Sequence, residues 1–191
     1  MTTGPTSAGP RPAPIARAAI FGATGGIGAA LVAALAEREP GCRIYAGSRR
    51  GDPSDDPRIT PFAFDLRDPE SIGLAAESIA RDGPLDLAFV ATGMLVREDG
   101  TGPEKSLKQI TARGLAEQFA VNTIGPALVA QAILPKLARD RRAVFAVLSA
   151  RVGSIGDNRL DLRWHSPGTD HPGSDFRSDW RDWGGARCGA G

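Results

Sequence analysis

The sequence predicts an α/β protein: a doubly wound parallel sheet of about five strands, incomplete on its C-terminal side. Three observations carry that prediction. Between Ile15 and Ser149, short apolar runs alternate with longer amphipathic ones, the pattern of strands joined by helical crossovers. The first apolar run opens directly into a glycine-rich turn, Gly22-Ala23-Thr24-Gly25-Gly26-Ile27-Gly28. The run Leu85–Ala91 (LDLAFVA) is almost continuously apolar, as in parallel strands buried on both faces.

The elements follow in order. Ala18–Phe21 (AAIF) is a short buried strand ending at the glycine turn. Ile27–Glu39 sets Ile27, Leu31, Val32 and Leu35 at helical spacing, and Pro40-Gly41 stops it. Arg43–Ala46 and Thr60–Phe64 read as the second and third strands. Pro69–Arg81 is a helix, with Asp68 as N-cap, Pro69 in the first turn and Gly83-Pro84 at the end. Leu85–Ala91 is the fourth strand, followed by a variable loop from Thr92 to about Thr111. A long helical pattern covers roughly Arg113–Arg139, with Leu115, Phe119, Ile124 and Leu128 on one side and bends expected at Pro126 and Pro135. Ala143–Leu148 (AVFAVL) is the fifth strand.

Composition excludes several classes of function. A length of 191 residues suits one compact domain. With 23 Lys+Arg against 22 Asp+Glu the net charge is +1, and no basic stripe argues for nucleic acid. Cys42 and Cys188 stand far apart without CxxC spacing, so neither a disulfide framework nor a metal site is expected. Residues 1–14 are Pro/Gly/Ser/Thr-rich and read as a disordered leader without an apolar signal core. The longest apolar stretch, Pro126–Leu134, is interrupted by Gln131 and falls far short of the ~20 residues of a membrane span. A soluble cytoplasmic protein is expected.

The domain is expected over residues 15–160. Residues 161–191 differ in kind: they hold all three Trp and both His, no Val, Ile, Met or Lys, and a single Leu, Leu162. They are expected to form an irregular tail.

The glycine turn is the strongest chemical signal. Glycines let the backbone turn tightly and approach a pyrophosphate, whose charge the first amides of the following helix then receive. Gly22, Thr24, Gly25, Gly26, Ile27 and Gly28 are therefore candidate cofactor residues. After the second strand stand Ser48-Arg49-Arg50 and no carboxylate. An acid there would suit a free ribose 2′-hydroxyl, whereas arginine suits a 2′-phosphate. Arg49 thus favours NADP(H) over NAD(H). Asp65, with Leu66 beside it, follows the third strand; it is open to two roles, acceptor for an adenine amino group or turn former. Ala91, Thr92 and Gly93 put small residues where backbone passes the cofactor. Asn122 sits inside a helical pattern, where Asn is a poor helix former and its amide demands a polar partner.

These residues carry a resemblance. Gly22-x-x-x-Gly26-x-Gly28, Asp65, Ala91-Thr92-Gly93, Asn122 in Val-Asn-Thr-x-Gly-Pro, and Leu148-Ser149 together resemble the short-chain dehydrogenase/reductase superfamily. Pro103-Glu104-Lys105-Ser106-Leu107 and the segment Ser149–Asn158 resemble its C-factor-like, carbonyl-reductase-like subgroup. The resemblance covers about Ile15–Ser166. It implies a Rossmann-like fold and NADP-dependent hydride transfer between a small-molecule carbonyl and a secondary alcohol. It also implies homo-oligomers paired through the long helix and the helix after strand five.

The family's pattern also requires a Tyr-x-x-x-Lys pair on that last helix, where a lysine lowers the pKa of the proton-donating phenol. This chain has one tyrosine, Tyr45, in the second strand, and its last lysine is Lys136. Trp164-His165-Ser166 arrives on cue, but Pro167 then takes the tyrosine's place and His171 the lysine's. Two readings stand: an out-of-frame translation beyond Ser166, and a natural tail on a shortened paralogue. Asn122, with Ser149 or Ser154 as the serine, would be the remnant of the catalytic set. Without the later strands, strand five is expected to be an exposed edge beside an uncovered apolar face. An inactive member of the family, a non-catalytic nucleotide-binding module and a non-functional fragment are the functional alternatives.

Overall fold

The computed structural model describes residues 13–97, 99–104 and 107–149. Within them lies a five-stranded sheet in the order β3-β2-β1-β4-β5, parallel throughout. The strands are β1 (Arg17–Phe21), β2 (Arg43–Ser48), β3 (Ile59–Ala63), β4 (Leu87–Val90) and β5 (Val144–Val147). The helices are α1 (Gly26–Arg38), α2 (Pro69–Ala80), α3 (Ala112–Phe119) and α4 (Gly125–Ile133). The order runs outward in one direction from β1 to β3 and in the other from β4 to β5. A crevice therefore opens between the carboxyl ends of β1 and β4, where such sheets bind ligands.

The period-2 geometry of β1 decides how the core divides. Ala19 and Phe21 face α2 and α4, where Ile72, Ile79, Val129 and Ile133 complete one apolar cluster. Ala18 and Ile20 face α1 with Ile44 and Leu35 in the other. These four residues of β1 are fully buried, as those of a central strand covered on both faces must be. Phe21 meets Phe62 and Phe64 edge-on, with ring centroids 5.2 and 5.1 Å away. Pro61 is tolerated in β3 because that strand is an edge. Among the described residues β5 is the other edge, and Val144 and Val147 are partly exposed on it.

Two differences from the sequence-based elements have local causes. The expected strand Leu85–Ala91 begins instead at Leu87, because Leu85 pairs with Leu137, donating to Lys136 O and accepting from Ala138 N–H. The long helix is divided into α3, a π-helical turn over Ala120–Ile124, α4 and a final 3₁₀ turn over Leu134–Lys136. Pro126 is one cause: it has no N–H to give the Asn122 carbonyl four residues earlier. Gly125 N–H reaches back to Ala120 O instead.

The amino ends of the strands are held by polar clamps. Buried Asp86 accepts at Oδ2 from the backbone N–H groups of Ala16 (2.9 Å) and Arg17 (3.0 Å), and at Oδ1 from Arg141 Nε (2.6 Å). Tyr45 donates its hydroxyl to Asp82 and accepts from an Arg17 guanidinium nitrogen at 2.8 Å. The chain's one tyrosine is thus committed at the end of the sheet opposite the crevice.

The same end has an alkaline signature. Burial, helped by the negative charges of Glu39 and Asp86, pushes the Cys42 thiol from its ordinary 9.0 to about 11. Burial and the Asp82 hydrogen bond hold Tyr45 above its ordinary 10.0. Folding therefore favours the protonated forms. That stability is complete below pH 9 and is lost as pH rises through the folded values. For Cys42 the shift is worth roughly 2–3 kcal/mol, at 1.36 kcal/mol per unit. The urea midpoint is expected to hold steady from pH 7 to 9 and to fall between pH 9 and 11, less steeply in Cys42→Ala. A midpoint still unchanged at pH 11 would contradict this.

Candidate functional site

The glycine turn is built by backbone bonds. Gly22 adopts φ +94°, a conformation open to glycine. Its N–H and that of Ala23 both donate to Gly47 O, at 3.0 and 2.8 Å, which fastens the turn to the end of β2. A Cβ on Gly22 would lie 2.8 Å from Thr92 Cγ2, and one on Gly28 only 2.0 Å from Gly22 O. The absence of those atoms lets α1 and the loop after β4 both close on the turn. Gly25 caps α1 in extended conformation without a side-chain hydrogen bond, and the first turn carries no acid. The positive end of a thirteen-residue helix therefore faces the crevice without a side-chain counter-charge.

In front of this turn is a cavity of about 530 Å³. Gly22, Thr24 and Gly25 form its floor, and Arg49, Asp65 and Leu66 come from the ends of β2 and β3. Ala91, Thr92 and Gly93 form the wall after β4. Nine sequence-predicted cofactor residues thus converge on one cavity. Gly26, Ile27 and Gly28 do not line it: Ile27 is 58% exposed, and Gly28 is buried behind the turn. Ser149 is exposed two residues beyond β5 and also lies off the wall. Ser154 and residues 161–191 lie outside the described residues.

The wall contains groups that the sequence did not single out. Ser48 Oγ accepts from the N–H groups of Arg50, Gly51 and Asp52, at 2.9 to 3.4 Å, and donates to Asp52 Oδ2 at 3.0 Å. This closed turn presents Arg49 to the cavity, while Asp52 also pairs with Arg50 Nε at 3.2 Å. A carboxylate is therefore present after β2, engaged by its own loop. The signal was a serine at the strand end with an aspartate four residues on. Asp65 accepts from the Arg67 N–H at 2.9 Å. That bond, with the charges of Arg67 and Arg49, holds its carboxyl below the ordinary 3.8 against the opposing effect of burial.

Asn122 stands on the π turn behind Val121, which itself touches the cavity. Its Oδ1 accepts from Met94 N–H at 2.7 Å, and its Nδ2 donates to Met94 O at 2.8 Å and to Gln118 Oε1 at 2.8 Å. The side chain is a clamp on the loop after β4.

A dinucleotide fits these residues. The cradle has the volume and the open helix end that a pyrophosphate requires, and Thr92 Oγ1 is buried beside it with no hydrogen-bond partner. Arginine and aspartate stand where a nucleoside would extend. Among the described residues no group of three or more His, Cys, Asp or Glu gathers to hold a metal ion, and no helix is long and apolar enough to cross a membrane.

Sheet order, glycine turn and crevice define a Rossmann-like α/β protein. A family model described as short chain dehydrogenase matches residues 16–158, and the chain belongs to that family of oxidoreductases. Comparison with curated proteins gives no match. Among solved structures, the chain is similar to an NADPH-bound carbonyl reductase from chicken fatty liver (21% identity, TM-score 0.73, covering 90% of this chain and 71% of that one). It is also similar to a carbonyl reductase from Pseudomonas aeruginosa (23%, TM-score 0.69, 90% and 76%). A third is a short chain dehydrogenase from Burkholderia cenocepacia in complex with NADP (23%, TM-score 0.67, 86% and 64%). At these identities the likeness is one of fold.

Proposed function

We propose that this chain binds NADP(H) in the crevice between β1 and β4, and that it does so without reducing carbonyls itself. The observation that carries the binding half is the cradle: Gly22 and Gly28 packed without Cβ atoms against an uncapped α1. Gly22, Thr24 and Gly25 would hold the pyrophosphate, Arg49 the 2′-phosphate and Asp65 the adenine. Two structural neighbours carry NADPH or NADP. The chemistry a bound nicotinamide would supply is hydride transfer; the residues of the crevice would bind and orient it.

The second half rests on the proton. Reduction of a carbonyl needs an acid beside the oxygen. The family pattern assigns that task to a tyrosine, and Tyr45 is spent on Asp82 and Arg17 at the far end of the sheet. NADPH fluorescence is expected to titrate saturably, with no oxidation of NADPH by generic aldehydes, ketones or quinones. Turnover would overturn the non-catalytic half. Failure to bind would overturn the binding half and leave a non-functional fragment.

Arg49 provides a sharper test. A charge-assisted contact to a phosphate is worth about 1.5–3 kcal/mol. Arg49→Ala is therefore expected to weaken NADPH roughly tenfold or more while leaving NADH within about twofold. Equal losses for both cofactors would assign the 2′-phosphate elsewhere.

A further inference from the structure

Asn122 offers one acceptor oxygen and two N–H donors, and every one of them has a protein partner. Two of the three bonds go to the same residue: Met94 gives its N–H to Oδ1 (2.7 Å) and receives Nδ2 at its carbonyl (2.8 Å). The third goes to Gln118 Oε1 (2.8 Å). Gln118 is 3% exposed, so the acceptor side of this part-buried bond is shielded from water. It lies four residues before Asn122, on the last turn of α3, and therefore faces the same side of the helix.

We infer that Gln118 is a positioning residue for the cavity wall, acting through Asn122 on the backbone of Met94. An amide can be turned over, exchanging its oxygen and nitrogen. Turned over here, Asn122 would set donor against donor at Met94 N–H and acceptor against acceptor at Met94 O. Gln118 Oε1 adds a third bond that only the correct orientation makes. It does so at the point where the helix widens into its π turn and Pro126 withholds an N–H from the Asn122 carbonyl. Met94 directly follows Ala91-Thr92-Gly93 and lines the same cavity. The wall beside the cofactor is thus registered to α3 through the Gln118–Asn122 amide pair. Removing the Gln118 acceptor leaves one part-buried Asn122 N–H without its protein partner and loosens the amide's hold on the Met94 peptide.

The functional part of this inference rests on the nucleotide reading; the structural part does not. The test is amide hydrogen exchange on the ligand-free chain, with NADPH titration alongside. In Gln118→Leu the Met94 amide is expected to exchange about tenfold faster relative to that of Ile20 in β1, the effect of losing one hydrogen bond of the clamp. NADPH binding should weaken by about the same factor. Gln118→Glu keeps an acceptor oxygen in either protonation state and is expected to restore both within about twofold. Unchanged relative exchange at Met94 in Gln118→Leu, or a Gln118→Glu variant no better than leucine, would overturn the inference. Should the leucine variant not fold, the wild-type chain decides: both Asn122 side-chain N–H protons must exchange slowly, and rapid exchange of either one overturns it. A chain that binds no NADPH but shows the exchange pattern would sink the nucleotide reading and leave Gln118's role standing.

Discussion

Asp86→Ala is expected to cost about 3–5 kcal/mol, the range for breaking a buried charged cluster by removing one partner. In a chain of this size that lowers Tm by roughly 6–20 °C, against a typical net stability of ~5–15 kcal/mol. Asp86 is 6% exposed and takes three donors: two backbone N–H groups at the entry to β1 and the Arg141 guanidinium before β5. It therefore ties β1, β4 and β5 at one point. Its deletion removes the acceptor of Ala16 N–H and Arg17 N–H. The partner variant separates two explanations. Arg141 is 40% exposed, so its charge is hydrated when Asp86 is gone, and Arg141→Ala should cost no more than about 1 kcal/mol. Thermal melts of both variants check this. Equal effects would show that the ion pair, and not the backbone clamp, is what Asp86 contributes.

The second large effect is expected at Gly28. Its added Cβ would sit 2.0 Å from Gly22 O and 2.8 Å from Gly22 C. Both are backbone atoms of the turn that cradles the pyrophosphate in the proposed complex, so no side chain can swing aside. Either α1 moves away from the turn or the turn itself opens. Gly28→Ala is expected to weaken NADPH by about 100-fold, equivalent to about 2.7 kcal/mol, and to lower Tm as well. Gly26→Ala is the contrast. Nothing lies within 4 Å of a Cβ there, and alanine is the better helix former by up to about 1 kcal/mol. Its Tm should hold or rise, so any loss of NADPH affinity at Gly26 would report the approach of the ligand and not a folding defect. Full NADPH affinity in Gly28→Ala would show that the cradle is not the binding site.

Several features are legible in the sequence. Strand–helix alternation determined the layers, because a period of 2 or 3.6 in apolar residues is a local property of the chain. The glycine turn was legible for a similar reason: a close approach between strand and helix can only be made without Cβ atoms, and these positions are adjacent in sequence. Asn122 announced itself as an amide out of place in a helix, and Pro126 marked where the helix must change its winding.

What stayed hidden depended on partners distant in sequence. Asp86 reads as a polar interruption in LDLAFVA until Ala16, seventy positions away, presents its N–H. Gln118 is one more polar helix residue until Asn122 and the Met94 peptide, twenty-eight positions from Asn122, meet beside it. Asp52 belonged to a loop until Ser48 drew it in, which changed the charge balance at the end of β2. Local pattern places the five strands, most of the helical segments and the glycine turn. Which buried polar groups act as clamps is fixed only in the assembled fold. A hydrogen bond is specified by the distance and direction between two groups, and for groups far apart along the chain those are set only when the sheet has assembled.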